Sequence, residues 1–170
     1  CTIAAPYAPL PSNLYRPSAD WDYRVVNVFK DFQNLALKIN RNRLRFVIHD
    51  PSIFQGDLAS LQSRLISLAD IVTKPTEQLV RLVMLAMLTT TFRIPGRRIP
   101  YGWVVEQLRE AFITASSEIR SDKSLLLWML VITSFTVAKT HDKWIRDAWM
   151  VVGAELKWAD VKAHLVRVMW

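Results

Sequence analysis

An all-α fold, a single compact array of about seven helices, is what the sequence predicts, and three observations carry the prediction. Apolar residues recur at three- and four-residue intervals along most of the chain, the spacing that lays one stripe along a helix. Two uncharged apolar runs, 82–92 and 124–138, stand out, and fifteen residues is long for a strand and ordinary for a buried helix. Prolines and a glycine then punctuate the periodic stretches, at Pro51, at Pro75 and in Pro95-Gly96-Arg97-Arg98-Ile99-Pro100.

Each element follows from these patterns in turn. Residues 1–19 are rich in Pro and Ala without periodicity, which predicts an extended or disordered arm ahead of a helical domain over 20–170. The first helix has Val25, Val28, Phe29, Phe32, Leu35, Ala36 and Ile39 on one stripe, with Asp20 as N-cap and Asn40 as its end. Arg45-Phe-Val-Ile reads as an extended stretch closed by the breaker Pro51. A second helix begins near Asp57 and faces inward with Leu58, Leu61, Leu65, Leu68 and Val72.

Pro75 suits the first turn of a third helix, where its missing N–H would be unpaired in any case. From Leu79 onward that helix is apolar on nearly every face, so it belongs at the centre of the fold with other helices around it. The fourth helix has Val104, Val105, Leu108, Phe112 and Ile113 as its buried stripe. The fifth, capped by Ser121, contains the run 125–138 and is the second all-round apolar helix. Asp142 caps a sixth helix carrying Trp144, Ile145, Trp149 and Val152, and Trp158 opens a seventh with Val161, Leu165, Val168 and Met169.

Composition excludes several function classes. No apolar run reaches the ~20 residues a membrane-spanning helix needs. The first 20 residues hold four prolines and one basic residue, which is no secretory signal. Cys1 is the only cysteine, so a disulfide framework and every Cys-rich zinc module are ruled out in these residues, and a reducing, intracellular setting fits. With no Met at its start the chain reads as a piece of a longer protein. The net charge of +7 is concentrated. Lys38, Arg41, Arg43 and Arg45 fall in one stretch without acids, and Arg81, Arg93, Arg97 and Arg98 in another. Such clusters serve either as solvated helix ends and loops or as contacts to an anionic partner, for which Arg41, Arg43, Arg45, Arg97 and Arg98 are the candidates.

Catalysis finds little footing. His49 and His141 each precede an aspartate in turns or caps, and Cys1 has no neighbour to lower its pKa. Asp160 and His164 are four apart, the spacing of a two-ligand metal half-site, and equally that of an i, i+4 pair on a solvated face. None of the four glycines sits in a phosphate-cradling motif. The sequence therefore predicts a protein that is not an enzyme, with no catalytic, cofactor or metal residues. Most of its seven tryptophans serve as packing anchors.

The last fifty residues carry a recognisable pattern. Leu126-Leu127-Trp128 in an apolar helix precedes Lys143-Trp144 at a helix start, Ala154-Glu155-Leu156, Trp158-Ala-Asp-Val-Lys162 and a closing Leu165-x-x-x-x-Trp170. This resembles the end of the regulatory domain of fungal-specific transcription factors, and Leu85-Ala-Met-Leu-Thr-Thr-Thr-Phe92 with Pro95-Gly96-Arg97-Arg98 is similar to its middle. The likeness covers 79–170 closely and 30–170 loosely. It implies a non-catalytic regulatory domain, nuclear, controlling an attached DNA-binding segment through other proteins of the transcription machinery, a homodimer partner or an apolar small-molecule effector. DNA would be reached only through that segment, and zinc would belong to a separate upstream cluster. The family often places Ser where Lys157 stands, so the last helix should start with a weaker cap, by about 1 kcal/mol. The alternative is a stand-alone helical adaptor or anion-binding protein that uses the five arginines named above.

Overall fold

A computed structural model of the chain describes residues 14–45, 51–91, 101–115, 118–137, 142–153 and 156–169. Among the described residues there are seven α-helices and no strand. They are α1 (Tyr23–Arg45), α2 (Pro51–Ser67), α3 (Pro75–Thr91), α4 (Tyr101–Ala115), α5 (Lys123–Thr136), α6 (Lys143–Gly153) and α7 (Trp158–Val168), with a 3-10 turn at Ile119–Ser121 before α5. The two all-round apolar helices are central, as their composition requires. On α5 every residue from Ser124 to Thr133 is buried, and on α3 only Gln78 and Met87 interrupt the buried run from Glu77 to Leu88. α3 packs against α1, α2, α4 and α5, while α5 also carries α6, α7 and the 3-10 turn.

Helix boundaries depart from the sequence reading where a side chain finds a better use. α1 starts at Tyr23 because Asp22, not Asp20, caps it: its Oδ1 accepts the Arg24 N–H at 2.8 Å. Asp20 instead meets the Lys74 ammonium at 3.0 Å. α1 continues past Asn40 to Arg45, since nothing there breaks a helix, so Arg45 is helical and not extended. Residues 46–48 of that expected stretch lie outside the described residues. Pro51 does not end an element but begins α2 at its first position, well before Asp57. α5 is capped by Asp122, whose Oδ1 accepts the Leu125 N–H at 3.1 Å, because the Ser121 hydroxyl donates to the Glu118 carbonyl within the 3-10 turn. Ile113 is 64% exposed, not buried. The stripe Val104, Leu108, Phe112 and Ala115 already faces α4 inward, leaving its neighbour on the flank.

The end of α2 is closed in a way that periodicity does not reveal. A helix leaves its last carbonyls without partners, and here two polar side chains of α3 reach one of them and two carbonyls of the turn that follows α2. Gln78 donates to the carbonyls of Ala69 and Val72, and Arg81, only 4% exposed, donates to the Leu65 carbonyl at 3.1 Å and to Gln78 Oε1 at 2.8 Å. Burial lowers the Arg81 pKa, and the nearby Asp70 charge acts the other way. Glu77, buried at 2% exposure, accepts the Asp22 N–H at 3.3 Å at the start of α1, where a negative charge is favoured.

The described part of the expected N-terminal arm, residues 14–19, is seated on the domain. Leu14 is buried, and the Tyr15 N–H donates to the Arg167 carbonyl at 2.7 Å. Gln33, 1% exposed on α1, donates to the carbonyls of both Tyr15 (3.1 Å) and Val168 (2.7 Å), stitching strap, α1 and α7 together. A chain of edge-to-face rings continues inward, from Tyr15 and Trp21 to Phe29 and on to Trp128 at 6.0 Å.

Candidate functional site

Two places on opposite flanks of α5 bring side chains together in ways that chemistry could use. The first is polar, at the N-terminal end of α5 beneath the strap. The Tyr15 hydroxyl donates to Asp122 Oδ2 at 2.6 Å, and Ser124 Oγ lies 2.8 Å from His164 Nδ1 on α7. Burial, followed by the Asp122 carboxylate, pushes the Tyr15 phenol well above its ordinary value of 10.0. A hydroxyl beside an imidazole resembles a nucleophile and its base, which need a third group to orient the ring. The nearby carboxylates are committed elsewhere. Asp122 holds Tyr15 and the Leu125 N–H, and Asp160 accepts the Lys157 N–H at 3.3 Å. Asp160 and His164 serve different neighbours: one supports the start of α7, the other fastens α7 to α5. Lys157 supplies no side-chain cap of its own, and the Asp160 contact stands in for the missing one.

The second place is apolar and open. α4, the 3-10 turn, α5 and α6 enclose a pocket of about 240 Å³. Its floor is Ile119 and Leu126, both buried, and its walls are Phe112 with Trp144, whose rings lie 5.5 Å apart, together with Ala148 and Val152. Ile113 and Val151, 64% and 58% exposed, form the lips. α6 is held in register by Ile145, buried at 4%, and by the Trp149 Nε1–H donating to Ser134 Oγ on α5 at 3.0 Å. One cation and one anion, Arg120 and Asp147, stand at the rim, and neither forms an ion pair with a described residue. The aromatic and aliphatic positions of α6 were legible as a stripe. That the stripe stops short of filling the space against α4 was not, because it depends on where Ile113 points.

The basic clusters dissolve in part. Arg81 is buried and binds carbonyls, and Lys38 pairs with Asp57 at 3.3 Å. Arg41, Arg43 and Arg45 sit on the last turns of α1, with side chains outside the described residues, as are Arg97 and Arg98 altogether and Cys1. Among the tryptophans, Trp128 is fully buried, Trp21, Trp144 and Trp149 pack partly against the core, and Trp103 and Trp158 are exposed at 57% and 65%. Among the described residues no group of three His, Cys, Asp or Glu side chains could hold a metal ion. No helix there is long and apolar enough to cross a membrane.

Fold and site together define an all-α domain with an apolar pocket beside its central helix. Comparison of the chain with protein-family models, with curated proteins and with solved structures finds no match.

Proposed function

We propose that this chain is a non-catalytic regulatory and protein-interaction domain of a transcriptional regulator of the fungal-specific kind, acting in the nucleus on an attached DNA-binding segment. The observation that carries the reading is the apolar pocket between α4, α5 and α6, with Ile113 and Val151 exposed at its mouth. Apolar side chains are exposed there on helices whose own burial needs are already met, which is what an effector or partner site requires. The sequence pattern over 79–170 supplies the transcriptional context. In that context occupancy of the pocket changes how the domain restrains its neighbour, and zinc belongs to the neighbour.

The test is a reporter driven by the chain fused to an unrelated DNA-binding domain. Ile113→Asp and Val151→Asp, on exposed positions that leave the core alone, should change reporter output several-fold at equal protein level. Output equal to that of the unaltered fusion in both variants would overturn the regulatory reading.

A further inference from the structure

Resting on the regulatory reading above, we propose that the α4–α5–α6 pocket is a binding site for an uncharged, compact apolar small molecule of about the size of two fused six-membered rings. Volume sets the size. An apolar cavity of about 150 Å³ accommodates benzene, so about 240 Å³ suits a bicyclic ligand, with Leu126 and Ile119 below and the Phe112 and Trp144 rings to its side. The lining sets the chemistry. All of the lining residues except Arg120 and Asp147 have apolar or aromatic side chains, so recognition rests on desolvation and ring contact.

The rim sets the charge. Arg120, on the 3-10 turn, and Asp147, on α6, are of opposite sign, so an anionic ligand would meet Asp147 and a cationic one Arg120, and the pair together favours neither. The same two charges argue for a small molecule over a protein surface. A partner large enough to cover the lips Ile113 and Val151 would also bury Arg120 and Asp147, which no described residue pairs, and desolvating them would weaken the contact. A bicyclic molecule fills the space and leaves both charges in water. Its single polar substituent, a hydroxyl or carbonyl, can reach a donor at Arg120 or an acceptor at Asp147.

The test uses the 170-residue chain and three probes of one shape: 2-naphthol, 2-naphthoate and 2-naphthylmethylammonium, titrated by calorimetry with methyl NMR shifts followed at Ile113, Ile119, Val151 and Val152. 2-Naphthol should bind with a dissociation constant on the order of 100 µM and move those methyls, and each charged analogue should bind at least five-fold more weakly. Ala148→Met, which fills the pocket from within, should weaken 2-naphthol at least ten-fold. Arg120→Gln, which removes the rim cation, should strengthen the cationic probe several-fold relative to the anionic one. No binding of 2-naphthol below about 1 mM to a folded chain would overturn the proposal, as would equal affinity in Ala148→Met or equal affinity for the three probes. The regulatory reading fails separately. If 2-naphthol binds as described and the Ile113→Asp and Val151→Asp fusions leave the reporter unmoved, the ligand site stands and its regulatory use falls. If those fusions move the reporter and 2-naphthol does not bind, the pocket serves a protein partner.

Discussion

The two flanks of α5 are built on opposite plans. On the side of α1, α7 and the strap, directional contacts recur: Tyr15 on Asp122, Ser124 against His164, Gln33 across two carbonyls, Trp128 in a chain of edge-to-face rings. On the side of α4 and α6 the helices are held at their inner edges by Ile145, Phe112 and the Trp149–Ser134 bond, and between those edges they leave space. One flank is fixed by many partners at once and the other is spaced by a few. Stability should therefore concentrate on the first and adaptability on the second.

The largest effect that would sharpen this contrast is at Trp128, which is fully buried on the locked flank. Trp128→Ala should destabilise by about 3–5 kcal/mol, read from denaturant unfolding. The indole Nε1 has no hydrogen-bond partner among the described residues, so Trp128→Phe should cost much less than the lost ring area alone implies. Next comes Gln33→Leu, which leaves the Tyr15 and Val168 carbonyls without their donor and should cost about 1–3 kcal/mol in the same measurement. Asp122→Ala removes the cap of α5, worth about 1 kcal/mol, and also the acceptor of the Tyr15 hydroxyl, so the total cost should exceed that of the cap alone.

Alkaline titration probes the same flank by another route. The folded chain keeps the Tyr15 proton well past the pH at which an unfolded chain releases it, so this contribution is present below about pH 10 and lost as pH rises above it. Tyr15→Phe should flatten that decline, as followed by chemical unfolding at a series of pH values. The smallest effect belongs to the open flank: Ile113→Ser and Val151→Ser should each change stability by less than about 0.5 kcal/mol. A cost above 1 kcal/mol at either would break the comparison, because it would mean that the lips are part of the packed core.

How much of this could be read from residues alone depended on distance along the chain. The apolar runs on α3 and α5, the stripes of α1, α2 and α7, and the break between α3 and α4 rest on neighbours within two turns, and the pattern displays them directly. Helix starts were missed by one or two residues at Asp22 and Asp122, where two candidate caps stand close together and a remote partner decides between them. Pro51 was misread for a different reason, since a proline ends one element or begins the next with equal local logic. The buried polar residues Gln33, Glu77 and Arg81 left no trace in periodicity, because their polar groups are satisfied by carbonyls and N–H groups that folding brings to them. The pocket is not legible in the sequence, because it lies between α4, α5 and α6, whose spacing no local pattern displays. Ile113 decides the matter through its orientation.

The side chains that close α2 also set an order in time. Gln78 reaches back 9 residues to Ala69 and Arg81 reaches 16 to Leu65, so the hairpin of α2 and α3 closes through short loops that cost little chain entropy. The Tyr15–Asp122 bond spans 107 residues and the Gln33–Val168 bond 135, so the first waits for the start of α5 and the second for α7. On a ribosome the α2–α3 hairpin is therefore able to assemble while the C-terminal helices are still being made, and the strap is the final fastening, drawn tight only once α7 has emerged.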